Sequence, residues 1–305
     1  MTTGYRSVFR PDMFTGRTYV VTGGGSGIGR CTAHELASLG ATVVIMGRKL
    51  DKLEAVAAEI REDGGKVDVL AQDIREEEGV KQAITTLLAK HERIEGLVNN
   101  AGGQFTAPLE TISQKGFETV VRTNLVGGFL LARELFNQHF NKAPAGAPAK
   151  QVRGGVIVNI VADMWKGMPG MGHSGAARAG MINFTHTAAV EWARAGVRVN
   201  ALAPGWIASS GMDTYPDMVK AMIPKLVEAV PLRRLGSEAE VSAAICFLLS
   251  PAAAFITGTT LSVDGGAPLM PHHWPMPPHD RSHAFQGFHR SQLGESLEKL
   301  LKLEE

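Results

Sequence analysis

Tyr19-Val20-Val21-Thr22-Gly23-Gly24-Gly25-Ser26-Gly27-Ile28-Gly29-Arg30 opens as a short apolar run rich in β-branched residues and then breaks into glycines. It resumes as an amphipathic pattern through Ala33, Leu36 and Leu39. That order reads as strand, tight turn and helix, the unit that binds a dinucleotide. Gly23 suits a sharp exit from the strand. Gly27 and Gly29 lack a Cβ, so a pyrophosphate and the sheet can both come close to the backbone. Ser26, just before Gly27, and Ile28, between Gly27 and Gly29, belong to the same cradle, and the free N–H groups of the helix start favour phosphate. The alternative is a plain Gly-rich turn, and the flanking strand and helix weigh against it.

Working outward, Ala41-Thr42-Val43-Val44-Ile45-Met46 is a second continuous apolar strand, ending in Gly47-Arg48-Lys49. An acidic residue at this strand end suits the ribose 2′-hydroxyl of NAD, whereas arginine suits a 2′-phosphate. Gly47 takes the acidic position and Arg48 and Lys49 follow, so NADP(H) is expected. The alternative is two solvated charges opening a helix. Further alternation follows: a charged helix over 51–63, a strand from Lys66 to Leu70, a helix through Leu87 and Leu88, and the strand Gly96-Leu97-Val98. Strands alternating with helices of this length predict an α/β, Rossmann-type doubly wound parallel sheet.

The chain has 305 residues, 44% hydrophobic and 20% charged, with a formal net charge of +1. Such balance gives no reason to expect a nucleic-acid or membrane partner. Residues 1–14 lack the apolar core of a secretory signal, and no run reaches the roughly 18 apolar residues of a membrane span. The final Leu303-Glu304-Glu305 is not a peroxisomal tripeptide, so a cytoplasmic location is expected. The two cysteines, Cys31 and Cys246, fall in apolar helical patterns and read as buried thiols.

The fourth strand ends in Asn99-Asn100-Ala101-Gly102-Gly103. With the glycines at 23–29, Asp73, Asn124, Val158-Asn159-Ile160, Val199-Asn200, Pro204-Gly205 and Val263-Asp264-Gly265-Gly266, the chain resembles the short-chain dehydrogenase/reductase family over residues 15–266. The resemblance implies that Asp73, with Ile74 beside it, caps the adenine. It implies that Asn99, Asn100, Ala101 and Gly102 line the cofactor groove, and that Pro204, Gly205 and Ile207 border it. It also implies a homotetramer and a segment after Pro204, with a helical tail from Asp217 to Val230, that covers a small-molecule substrate. A long helix from Ser113 to Leu135 carries Asn124, and another runs from about Gly175 to Ala195.

Most members of that family use a Tyr-x-x-x-Lys pair, with a serine and an asparagine upstream. The chain has three tyrosines, Tyr5, Tyr19 and Tyr215, and none falls on that helix. His173-Ser174-Gly175-Ala176-Ala177-Arg178-Ala179-Gly180 stands there instead, so Ser174 replaces the tyrosine and Arg178 the lysine. The upstream serine position reads Val161-Ala162, followed by Asp163. Arg178 can hold ribose hydroxyls but, with a pKa above ~12, cannot shuttle protons. This run resembles the 2,4-dienoyl-CoA and trans-2-enoyl-CoA reductase branch, as do Gly102-Gly103-Gln104-Phe105 and Glu191-Trp192-Ala193. That branch is credited with a tyrosine further along the helix, where this chain has Ile182, and with a lysine where it has His186.

Reduction of a C=C bond conjugated to a thioester collects charge on the thioester oxygen, which needs hydrogen-bond donors more than an immediate proton. Ser174, Asn124 and a ribose hydroxyl held by Arg178 are the candidate donors, making Ser174, Arg178, Asn124 and Asp163 the expected catalytic set. Asp163, His173 or Lys166 is a candidate route for the proton, each with a plain structural reading beside it. Met164, Met168, Met171, Met181 and Met212 crowd segments on the expected substrate side and would suit a long acyl or terpenoid chain, or ordinary packing. The leading expectation is NADPH-dependent reduction of an enoyl- or dienoyl-CoA. The alternatives are a dehydrogenase for a lipophilic alcohol, aldehyde or 3-ketoacyl thioester, and a nucleotide-binding member without catalysis. Residues 267–305 form a further extension, read as an arm over a neighbouring subunit or beside the active site. Its His272, His273 and His279 make a poor metal site, because acidic and thiol ligands are sparse nearby, so no metal is expected.

Overall fold

The computed structural model describes residues 4–148, 151–209, 212, 220–271 and 277–302. Its frame is a seven-stranded parallel sheet made of β1 (Thr18–Thr22), β2 (Thr42–Gly47), β3 (Lys66–Ala71), β4 (Gly96–Asn99), β5 (Gly155–Ile160), β6 (Val197–Pro204) and β9 (Thr260–Val263). β7 (Ile207–Ala208) and β8 (Gly236–Ser237) pair separately. The spatial order is β3-β2-β1-β4-β5-β6-β9, so strands are added to one side of β1 up to β3 and to the other side from β4 onward. A crevice forms at such a switch in order, outside the carboxyl ends of the strands.

Both faces of the sheet are covered, which is why β1 is apolar without alternation and buried at every position. On one face, α1 (Gly27–Ser38), α2 (Leu50–Glu62) and α8 (Glu238–Leu249) contribute Leu36, Ile60 and Ile245 to a core with Val21 and Val43. On the other, α3 (Glu77–Lys90), α5 (Gly127–Leu135) and α6 (Gly172–Glu191) contribute Ile84, Leu131 and Ala188 around Val20, Leu97 and Ile157. Cys31 and Cys246 are buried free thiols.

The helix expected from Ser113 to Leu135 is not continuous. α4 (Gln114–Val121) meets α5 through a π turn, Arg122–Val126, and a second π turn carries the helix on to Phe140. The extra residue in a π turn rotates the helix beyond it, and Asn124 sits buried at the first of them. α6 begins earlier than expected, at Gly172, and gives way to a 3-10 turn at Ala193–Ala195. Of the helix expected from Asp217 to Val230, only α7 (Ile223–Glu228) is described, while Tyr215 and residues 217–219 lie outside the described residues.

Tyr5 near the start of the described chain and Phe285 and Phe288 from the extension pack on α1 and α8. Tyr5, Ser7 and Ser242 all donate hydroxyls to the buried Glu35 carboxyl, whose pKa burial pushes up. Arg6 N donates to Gly287 O at 2.9 Å, joining the N-terminal arm to the extension.

A buried polar ladder crosses beneath the crevice. Asn99 Nδ2 donates to Asn159 Oδ1 (2.9 Å) and to Gly128 O (3.1 Å), and Asn159 Nδ2 donates to Thr185 Oγ1 (2.9 Å). It ties β4, β5 and α6 together where the crevice opens. Asn159→Leu strands part of this ladder and is expected to lower stability by about 2 kcal/mol, read from urea unfolding with the slope unchanged.

Candidate active site

The glycine turn folds as its composition demands. Gly23 has φ +68° and Gly27 φ +56°. A Cβ on Gly29 would lie 2.4 Å from Gly23 O, so no side chain fits between the start of α1 and the turn. Thr22 and Asn100 lock that turn to β4: Asn100 Nδ2 donates to Thr22 O (2.9 Å), and Thr22 Oγ1 accepts from the Asn100 and Ala101 N–H groups. Ser26 precedes α1 in extended geometry and makes no capping bond with its side chain, leaving its hydroxyl for a ligand.

Two cavities adjoin at the crevice. The smaller, about 230 Å³, is bordered by Gly23, Ser26, Gly47, Arg48, Asp73 and Ile74, with Asn100, Ala101 and Gly102 at its inner end. Arg75, which the sequence reading did not single out, also faces it. Asp73 is tied to Arg75 by a 2.6 Å ion pair, and that pairing holds its carboxyl below the usual range. Lys49, expected beside the cofactor, lines neither cavity and instead precedes α2.

The larger cavity, about 750 Å³, is reached past Ile28, Asn100 and Gly102, and is bordered by Pro204, Gly205 and Ile207. Arg178 reaches its floor. One guanidinium nitrogen donates to Ile160 O at 2.6 Å, while Nε is buried without a partner. Burial brings the Arg178 pKa down to about 10. A Cβ on Gly102 would meet that guanidinium at 2.6 Å, so the groove is kept open by glycine. A desolvated cation with a spare donor fits ribose hydroxyls and a nearby phosphate. These cradle features fit a nicotinamide dinucleotide.

Three side chains of the expected reacting centre are engaged within the protein. Asn124 faces the loop after β4 from the π turn: its Oδ1 accepts from Gly103 N (2.9 Å) and its Nδ2 donates to Gly103 O (3.1 Å). Ser174 is fully buried, and its hydroxyl donates to Gln104 Oε1 at 2.7 Å rather than opening on the cavity. His173 is fully buried too, with its ring edge-on to Phe105 at 4.3 Å, so it offers no exposed relay. Gln104, in contrast, is exposed and lines the larger cavity. Its side-chain oxygen is held by Ser174, so its NH₂ group is the one left facing outward. Its only sequence signal was its place in Gly102-Gly103-Gln104-Phe105.

Asp163 and Lys166 line the same cavity. Burial raises the Asp163 carboxyl, and the nearby Asp264 raises it further. Of the five methionines, Met168, Met171 and Met212 line the cavity. Met164 and Met181 instead pack with Val161 and Ile182 in a small core behind it. His186 is exposed on α6. His279 bonds Pro231 O at 2.9 Å, whereas His272 and His273 lie outside the described residues.

A family model described as Enoyl-(Acyl carrier protein) reductase matches residues 23–268. The chain belongs to the short-chain dehydrogenase/reductase family. It is therefore an oxidoreductase that binds a nicotinamide cofactor. It is 33% identical to the peroxisomal 2,4-dienoyl-CoA reductase [(3E)-enoyl-CoA-producing] of Danio rerio, over 86% of this chain and 85% of that one. Among solved structures it is similar to the citronellol catabolism dehydrogenase of Pseudomonas aeruginosa PAO1, at 62% identity and TM-score 0.75, covering 86% of this chain and 99% of that one. A chain from Beutenbergia cavernae solved with bound NADP is 32% identical, with TM-score 0.74, covering 85% of this chain and 100% of that one. No helix among the described residues is long and apolar enough to cross a membrane.

One acidic group sits against the phosphate cradle. Glu238, at the start of α8, has a carboxyl oxygen 3.8 Å from where a Gly27 Cβ would lie, and burial lifts its pKa from 4.5 to about 7. The folded chain therefore keeps a proton that the unfolded chain has already released across that window, and stability falls as pH rises through it. Glu238→Gln is expected to match the parent near pH 5 and to be more stable by about 2 kcal/mol at pH 8, as measured by chemical denaturation at the two pH values.

Proposed function

We propose that this oxidoreductase uses NADPH to reduce the C=C bond of an enoyl- or dienoyl-CoA thioester. The observation that carries the reading is Gln104. It is a neutral amide donor exposed in the larger cavity, anchored through its oxygen by the buried Ser174 hydroxyl, in a site whose described residues place no phenol there. When bound, the nicotinamide supplies the hydride that adds to Cβ of the substrate. The Gln104 NH₂ then holds the thioester oxygen as charge collects on it. Arg178 orients the ribose and adds fixed positive charge without giving up a proton. Asp163, whose carboxyl is held above its ordinary range by burial and by Asp264, lines the cavity and relays a proton to Cα directly or with Lys166 and water. The methionines around the cavity suit a flexible acyl chain.

Preference for NADPH over NADH is supported by Gly47 at the end of β2 and by Arg48 and Arg75 facing one cavity. The only carboxylate there, Asp73, is already neutralised. The same reading assigns Ser26, Gly27, Ile28 and Gly29 to the pyrophosphate. It assigns Asn100, Ala101, Pro204, Gly205 and Ile207 to the nicotinamide half, within a domain spanning residues 15–266. A homotetramer in the cytoplasm completes it, supported by family resemblance and by the exposed Val126 and Phe129 on the α4–α5 flank.

A second reading, a dehydrogenase of a lipophilic alcohol or aldehyde, is favoured by the 62% identity to the citronellol catabolism dehydrogenase. NADPH oxidation with a trans-2-enoyl-CoA, a 2,4-dienoyl-CoA, a 3-ketoacyl-CoA and an aldehyde of matched chain length separates the two. Turnover is expected on an unsaturated thioester, with kcat lowered at least ten-fold in Gln104→Leu and in Arg178→Ala. Turnover confined to the ketone or aldehyde would favour the second reading. Tight NADPH binding without any turnover would favour a nucleotide-binding protein without catalysis. In the same assay, Arg48→Ala is expected to raise KM for NADPH roughly ten- to hundred-fold and to leave KM for NADH little changed.

A further inference from the structure

The Danio rerio relative and the two solved structures match 85–86% of this chain, and the two structures are themselves covered almost whole. This chain therefore carries segments that those two structures lack. The described part of the extension borders the larger cavity at its start and packs, at its far end, on a helix beside that cavity. At its start, Ala267 and Pro268 line the cavity directly. It then crosses α8, where Ser237 Oγ donates to Phe285 O (2.7 Å) and Phe285 N donates to Glu240 Oε1 (3.2 Å). Phe288 packs against Cys31 and Ala239, and Arg290 pairs with Asp63 at 2.7 Å. The chain finally returns as α9 (Glu295–Lys302), which packs against α7.

α9 does not lie free on the surface. Leu297 is 2% exposed, in one cluster with Met212, Ile223, Val227 and Leu235. Leu300 and Leu301 from the helix, Leu293 just before it, and Trp206 and Ala208 pack against the same cluster. Met212 and Trp206 also line the cavity, as does Ala229 just after α7. One side of that wall thus faces the cavity and the other faces α9. α7 spans six residues and α9 eight, both too short to hold helical shape alone in water. Each is held by the apolar face it buries against the other.

We propose that α9 is a brace, acting within its own chain, that fixes the apolar wall of the substrate cavity and so sets which substrate chain lengths are accepted. Leu297 is its central positioning residue. The proposal rests on the reading that the larger cavity takes the acyl chain. Without Leu297, α7 and Met212 lose their backing. A long chain that needs the wall then binds less well, while a short one that stops before it is unaffected.

The test uses the full-length chain as Leu297→Ala and as Leu297→Ala/Leu301→Ala, with Leu297→Met as the conservative control. Steady-state kinetics with four-carbon and ten-carbon trans-2-enoyl-CoA are combined with amide hydrogen exchange over residues 223–229. Fluorescence titration with NADPH reports whether each variant is folded. The expected result is a KM for the ten-carbon substrate raised roughly ten-fold, the loss of about two buried methylenes. The four-carbon KM and NADPH affinity should stay within two-fold, exchange in α7 should accelerate, and Leu297→Met should restore all three. Equal changes for both chain lengths, or unchanged exchange in α7, overturn the brace and leave the enoyl-CoA reading standing. If the parent turns over neither thioester, the enoyl-CoA reading falls, and the exchange result alone decides whether α9 holds α7.

Discussion

The contact on which the rest of the molecule depends is the approach of α1 to the end of β1. Gly29 and Gly23 meet so closely that a single methyl group on Gly29 would lie 2.4 Å from a carbonyl oxygen. Because nothing intervenes, the N-terminus of α1 projects over the crevice with its N–H groups free to bind phosphate. Thr22 and Asn100 brace the turn from the neighbouring strand. The loop after β4, which includes Gly102, Gly103 and Gln104, is set from that bracing.

The reacting centre depends on that loop. Asn124 spends both of its amide groups on Gly103, and the buried Ser174 hydroxyl spends its proton on Gln104. Two residues expected to face the substrate on a reading of type and position alone instead hold the loop after β4. The π turn at Arg122–Val126 is what allows this, since it widens the helix where Asn124 must face inward. Arg178 shows the complementary case. With a desolvated guanidinium and a buried Nε lacking a partner, it is stable only because one of its nitrogens is fixed to Ile160 O and a ligand can satisfy the remainder.

Polar groups outside the crevice serve the two ends of the chain. Glu35 gathers hydroxyls from the N-terminal arm and from α8, and Asp63 takes His34, His289 and Arg290. These buried or half-buried pairs contribute direction more than net energy, because desolvation offsets much of their attraction. They route the extension back across α8 so that α9 lands on α7. The cavity wall is therefore built from residues distant in sequence.

The parallel sheet, its order of elements and the Gly-rich turn after β1 were legible in the sequence, because each rests on local signals. Continuous apolar runs mark strands buried on both faces, and glycines mark places where a Cβ cannot fit. Gly47 followed by Arg48 pointed to the 2′-position of the ribose by charge alone. Tertiary structure decided what no spacing encodes. It left Lys49 outside the cavities and brought Arg75 in. It packed Met164 and Met181 into a small core while Met168 and Met171 line the cavity, and it turned Ser174 and Asn124 onto the loop that carries Gln104. The physical reason is that a side chain's reach depends on which groups compete for its hydrogen bonds. Those competitors come from strands and helices that meet only when the sheet closes.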